Sequence, residues 1–269
     1  MSGLLANAPV YYALVQVRFE PVATMAKYVD EIQDRLRKTG FPLFESEQQP
    51  AFNFIFQNAD GAASSVPPQF SMPMVNTTSI WYFTNSSRTA GYVLGSDFIT
   101  FQMTAYQGHE NYFEQLVSGI KLLNEIVQLG NLTRVGLRYL NAIVPSAEEA
   151  IEQYLDPSIS GIKFGRDWLQ SAWESAYKTD FGVLVAKVYS VSNSPVGTPI
   201  DLQIRSVQLP EQYRVSTPVR HAVMDLDHYS DGTLPPDSEA LAESLKNLHE
   251  GVSGCFSKLA TEYAFERWK

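Results

Sequence analysis

The feature that most constrains this chain is punctuation that comes round twice. An apolar run from Pro9 to Phe19 is closed by Pro21, and a second, from Leu132 to Val144, is closed by Pro145, 124 residues further on. Tyr106 ends the last strand-like run of the first half and Tyr229 that of the second, 123 residues apart. Between these marks each half reads strand, helix, three or four strands, helix. Identity between the halves is negligible, so the repeat is one of pattern. It divides the chain into units at 1–130 and 131–269. Only a few residues separate the helix ending near Gly130 from the strand that begins near Leu132. With no linker between them, the units are expected to pack as one body.

In the first unit, Met25, Tyr28, Ile32 and Leu36 stripe a helix that Gly40 and Pro42 stop. A short strand at Phe52–Phe56 leads into an Ala-, Ser- and Pro-rich loop from Asn58 to Met74, expected to be the most flexible stretch. Strands follow at Ser79–Thr84, Ala90–Leu94 and Phe98–Tyr106. A helix striped by Tyr112, Leu116, Ile120, Leu123 and Val127 closes the unit. The second unit reads as a helical region at Ala147–Leu155 and Arg166–Tyr177, then strands at Phe181–Val191, Pro199–Leu209 and Val219–Tyr229. A weaker strand signal lies at Tyr213–Ser216, and one long helix runs from Asp237 to Trp268. The class is α+β, with antiparallel curved sheets packed against long helices. The order resembles the units of the TATA-binding protein and of helix-grip ligand-binding proteins, which implies an architecture and not an activity.

Twenty Lys and Arg stand against 29 Asp and Glu, for a net charge of −9. No basic run exceeds Arg35-Leu36-Arg37-Lys38, which argues against broad binding to a phosphate backbone. The lone cysteine, Cys255, excludes an intramolecular disulfide and fits a reducing compartment. No run approaches 18 apolar residues, and the first residues lack the pattern of a secretory signal. A cytoplasmic location with no membrane contact is the expectation.

A period of two sorts the strands of the second unit into faces. Arg134 and Arg138 oppose Val135, Leu137, Tyr139 and Ile143. Asp201, Gln203 and Arg205 oppose Ile200, Leu202 and Ile204. His221, Asp225 and Asp227 oppose Ala222, Met224 and Leu226. Aligned, the polar faces gather Arg134, Arg138, Arg205, His221, Asp225 and Asp227. Such a surface can be a solvated face of cross-strand ion pairs, each worth roughly 0.2–1 kcal/mol. A second reading is a docking surface with reachable guanidinium groups. A third reading is an acid–base or metal centre on His221, Asp225 and Asp227. His109, His221, His228 and His249 show no ligand spacing. No GxSxG, P-loop or GxGxxG is present, so neither a catalytic residue, nor a metal ligand, nor a cofactor is assigned. Asn141 falls on the apolar side of its strand and needs hydrogen-bond partners there. Gly251 and Gly254 in the last helix read as close packing on the sheet, the alternative being a bend at a hinge or dimer contact.

Four stretches carry a family resemblance. They are Asn7-Ala8-Pro9-Val10 with Arg18-Phe19, then Trp81-Tyr82-Phe83, then Arg134-Val135-Gly136-Leu137-Arg138-Tyr139-Leu140-Asn141, and the closing set His249, Phe256, Ala264 and Trp268. Together they resemble a sporadically distributed bacterial family of unestablished function, along nearly the whole chain. The resemblance implies the patchy distribution of genes on mobile or defence-associated islands, and brings no catalytic residues. The leading expectation is a non-enzymatic protein that engages a macromolecular partner, a protein rather than nucleic acid, in a defence or toxin-neutralising module. One alternative is a small-ligand pocket between sheet and last helix, lined by Met224, Leu226, Phe256 and Tyr263. The other is a hydrolase built on His221, Asp225 and Asp227.

Overall fold

Alternating apolar residues bounded by Pro, Gly and Asn make strands here, and they come together in one sheet. The computed structural model describes residues 7–52, 75–159, 164–165, 168–202, 204–214, 218–236 and 238–269. The first half contributes β1 (Val10–Phe19), α1 (Val29–Lys38), β2 (Leu43–Phe52), β3 (Val75–Thr84), β4 (Ala90–Leu94), β5 (Phe98–Met103) and α2 (His109–Val127). The second contributes β6 (Leu132–Ile143), β7 (Gln170–Thr179), β8 (Gly182–Ser194), a single helical turn α3 (Glu211–Arg214), β9 (Val219–Leu234), α4 (Ser238–Leu259) and α5 (Glu262–Trp268). The nine strands form one curved, open antiparallel sheet in the order β2-β3-β4-β5-β1-β6-β9-β8-β7. No helix among the described residues is long and apolar enough to cross a membrane.

Helices α1, α2 and α4 all lie on one face of the sheet. Their stripes, including Ile32, Leu36, Leu116, Ile120, Leu241, Leu245 and Leu248, meet Val15, Val17, Leu137, Met224 and Leu226 in one continuous core. Among the described residues the opposite face carries no helix beyond the single turn α3, whose Tyr213 packs there. There a second apolar cluster joins Tyr12, Leu140, Ala142 and Val223 of the sheet to Val196 and Val207 of the segment between β8 and β9. Asn141, 2% exposed, donates from Nδ2 to the Met224 carbonyl at 3.2 Å, so its polar side chain is satisfied inside the sheet.

Several expectations from the sequence are corrected. The helical region expected at Ala147–Leu155 keeps only one 3-10 turn, Ile151–Gln153. The segment expected as a helix at Arg166–Tyr177 contains the edge strand β7, which pairs with β8 from Gln170↔Val191 to Thr179↔Gly182. Gly182 makes that hairpin possible: a Cβ there would lie 2.0 Å from the Tyr229 carbonyl oxygen. The expected strand Pro199–Leu209 is an irregular strap that joins no ladder among its described residues, and of the weaker signal at Tyr213–Ser216 the described residues, Tyr213 and Arg214, belong to α3. The long last helix breaks at Ala260-Thr261, where Thr261 accepts from the Ala264 amide and caps α5. The second strand of the first half is Leu43–Phe52; of the strand expected at Phe52–Phe56 only Phe52 is described, and the expected loop Asn58–Met74 lies outside the described residues.

Candidate functional site: the helix-free face and its strap

Strand register decides which charged side chains meet. Arg138 of β6 lies opposite Leu14 of β1 on one side and Asp227 of β9 on the other. Asp225 lies opposite Leu140 of β6 and Lys187 of β8, and Lys187 opposite Glu174 of β7. The Arg138 guanidinium reaches diagonally and holds Asp225 through Nε at 2.7 Å and Nη2 at 2.6 Å. Its outer nitrogens take Asp201 of the strap at 2.8 and 3.2 Å. The side chain of Arg138 is 11% exposed and that of Asp225 2%, so the expected reachable guanidinium is instead an interior clamp. Burial works against the Arg138 charge, but the hydrogen bonds to Asp225 and Asp201 outweigh it and raise the guanidinium's pKa. Asp201, in turn, is held below its ordinary value, chiefly by the Arg138 hydrogen bond. Removing one partner of such a buried pair leaves the other charge stranded, at a cost of about 3–5 kcal/mol.

The other sequence candidates lie around this clamp without joining it. Arg134 pairs with Asp231 at 3.3 Å, its guanidinium 3.6 Å from the centre of the Tyr229 ring. Arg205 sits on the strap rather than on a strand, and pairs with Glu47 of β2 at 3.5 Å. Asp227 is pushed up to about 6, first by burial, with Arg138 opposing and the Asp225 charge adding to the rise. His221 is 3% exposed and its Nδ1 lies 3.0 Å from the Val219 carbonyl oxygen, at the start of β9. Asp225 lies four strand steps further on, or about 13 Å at ~3.3 Å per residue. The constellation of His221, Asp225 and Asp227 therefore does not converge.

The remaining histidines are structural as well. His228 is bound between the Leu248 carbonyl at 2.8 Å and Thr179 Oγ1 at 2.9 Å, and Gly251 leaves room for its ring. His109 and His249 stack at 4.1 Å where α2 meets α4, and His249 falls to about 4, through burial first and the neighbouring His109 second. Among the described residues no three of His, Cys, Asp and Glu stand together as a metal site.

Sequence reasoning missed the strap as an element. It leaves β8 at Ser194 and crosses the sheet to the β3–β4 hairpin. Tyr11 Oη donates to the Gly197 carbonyl at 2.7 Å, and Gln102 Nε2 to the Arg205 carbonyl at 2.9 Å. At the far end Arg88 Nη1 donates to the Ser206 carbonyl at 3.1 Å, and the Gln208 amide donates to the Arg88 carbonyl at 2.7 Å. Arg88 and Ser206 both have left-handed backbones, φ 54° and 66°. Non-glycine residues hold that conformation at a cost of roughly 1–2 kcal/mol each, where surrounding contacts enforce it. The available sequence signal was Pro195, Pro199 and Pro210, which cannot donate to a ladder. Leu202 and Ile204 of the strap pack on the second apolar cluster, whereas Ile200 is fully exposed at 102%. Around it the strap forms an open groove of ≈ 650 Å³ lined by residues from Thr198 to Leu209. On the helix side, Met224 and Leu226 are 0% exposed in the core, and a cavity between α1, α2 and the sheet measures only ≈ 10 Å³.

Fold and site together define an α+β protein with an open antiparallel sheet, one face roofed by helices and the other tied under a strap. No family model, curated protein or solved structure matches the chain.

Proposed function

We propose that this chain is a non-catalytic binding protein that engages a protein partner through the strap on its helix-free face. The observation that carries the reading is Ile200, held wholly in solvent on a segment anchored at Tyr11, Gln102, Arg138 and Arg88. An apolar side chain presented from an anchored segment loses little further conformational freedom on binding. Arg205 beside it, paired at a loose 3.5 Å and half exposed, supplies the residue type enriched with aromatic and apolar anchors in protein interfaces. Nucleic acid fits less well. Arg18, Arg134, Arg138, Lys187 and Arg205 on this face each have a carboxylate partner, which reduces the free positive charge that phosphate binding draws on. A small ligand would be poorly enclosed by so open a groove. The placement in a bacterial defence or toxin-neutralising module rests on the family resemblance alone.

The two halves, in the same proposal, are units of one pattern arranged as in the TATA-binding protein. Three features of the sheet order support this: β1 lies beside β5 and β6 beside β9, each the last strand of its own half, and the two opening strands adjoin at the centre.

The test is enrichment of partners, from the cell that encodes the protein, on wild type and on Ile200→Asp, followed by calorimetry with the protein recovered. The expected result is stoichiometric binding weakened at least about tenfold by Ile200→Asp, with an unchanged melting temperature. Equal affinity for the two, or a chemical turnover abolished by Asp225→Asn with Asp227→Asn, would overturn the reading.

A further inference from the structure

At the end of the sheet, β7 offers ten residues of strand with no register shift against β8. Every second residue of an antiparallel edge turns its N–H and C=O away from its neighbour. Among the described residues no strand pairs with that outer side. Natural edges are commonly blunted by proline, bulges, covering elements or charged side chains; the exposed charges of β7, Glu174 and Lys178, are of opposite sign. Here the ladder has no bulge and β7 contains no proline, whereas β2 at the opposite edge contains Pro50.

The side chains of β7 are complementary to themselves. Glu174, Ala176 and Lys178 alternate along the helix-free face, and all three are exposed. If two copies of β7 pair antiparallel about a twofold axis at Ala176, Glu174 of each falls opposite Lys178 of the other. The central position is then filled by two small alanines. Just beyond the two ends of β7 lie Leu169, 79% exposed, and Phe181, 48% exposed, and the same register brings Leu169 of one copy to the end of the pair where Phe181 of the other lies. Charges thus meet opposite charges and apolar ends meet apolar ends in one register. A one-residue slip would put each carboxylate opposite a residue of the other face.

We infer that β7 is the interface for a second copy of this chain, an isologous antiparallel β7–β7 pairing that continues the sheet from one protomer into the next. The contact is self-limiting, because pairing consumes the only edge that takes part. It uses a surface separate from the strap, so dimerisation and partner binding stand or fall independently.

The experiment is sedimentation equilibrium across the micromolar range on the full chain and on charge variants. Wild type is expected to dimerise. Glu174→Lys and Lys178→Glu should each weaken the dimer at least tenfold by opposing like charges. An equimolar mixture of the two variants should associate again, since each then presents the charges the other needs. Glu174→Lys also disturbs the 3.5 Å Lys187–Glu174 pair inside the protomer, and recovery in the mixture separates that effect from the interface. A wild type that stays monomeric throughout would overturn the inference. So would a dimer indifferent to both single reversals, or a mixture that does not re-associate.

Discussion

Two carboxylates on β9, two residues apart, have different electrostatic surroundings. Asp225 is gripped by Arg138 at 2.6 and 2.7 Å. Asp227 lies directly opposite Arg138 in register, yet no hydrogen bond or ion pair of its carboxyl is seen among the described residues. Burial first, then the Asp225 charge, push it up from 3.8 to about 6, and Arg138 pulls only partly the other way. The folded chain therefore binds the Asp227 proton more tightly than the unfolded chain. Its contribution to stability is fully present below about pH 4 and is lost as pH rises through about 6. Asp227→Asn should accordingly stabilise the protein by about 1–3 kcal/mol at pH 7–8, with the gain fading toward pH 4. Thermal melts of both proteins across that range check this, and a gain that grows as the pH falls would contradict it. The period of two along β6 and β9 made it legible that Arg138, Asp225 and Asp227 share a face. Which aspartate Arg138 would choose was not legible, because that depends on a cross-strand register no single strand encodes. Asp201, the third member, comes from a segment whose alternation imitated a strand.

Elements whose stripes were long and strongly periodic were readable from sequence. β1, α1, α2, β6 and the body of α4 all lie within a few residues of their expected places. The failures share one cause, a tertiary contact outweighing local preference. Gln170–Thr179 carries helix-compatible Gln, Ala, Glu and Lys, and the hairpin through Gly182 makes it a strand. Ile200, Leu202 and Ile204 alternate as a strand would, but only Leu202 and Ile204 rest on apolar neighbours, and no ladder forms. The break between α4 and α5 follows from Thr261. Its amide donates to the Tyr154 carbonyl and its hydroxyl to the Gln153 carbonyl, while its oxygen accepts from Ala264. Glu149 locks the same junction through Tyr263 at 2.6 Å and Arg267 at 2.8 Å. Thr261→Ala removes both the cap and the tether. It should lower stability by about 1–2 kcal/mol and speed amide exchange in α5 before any other element. Denaturant midpoints with residue-resolved exchange would show it, and unchanged protection of α5 would argue against the cap.

For the molecule as a whole, the two faces of one sheet are closed by different means. The helix side is a continuous apolar core joining both halves. On the other side, a strap from the second half reaches across β6 and β1 to bond Gln102 and Arg88 of the first. Anchoring at Asp201, Arg205, Ser206 and Gln208 is what would make Ile200 a fixed feature rather than the tip of a wandering loop. The α+β class with an antiparallel sheet was legible from the strand and helix periodicities, whereas the strap was hidden because its contacts join residues about a hundred positions apart. Hydrogen exchange of the unbound protein tests this most directly. The Gln208 amide, bonded to the Arg88 carbonyl at 2.7 Å, should exchange far more slowly than in an unstructured peptide. Asp201→Ala should accelerate it while β6 and β9 keep their protection. Exchange of residues 196–209 at the rate of a free peptide in the wild type, with the strands still protected, would contradict an anchored strap and the binding surface built on it.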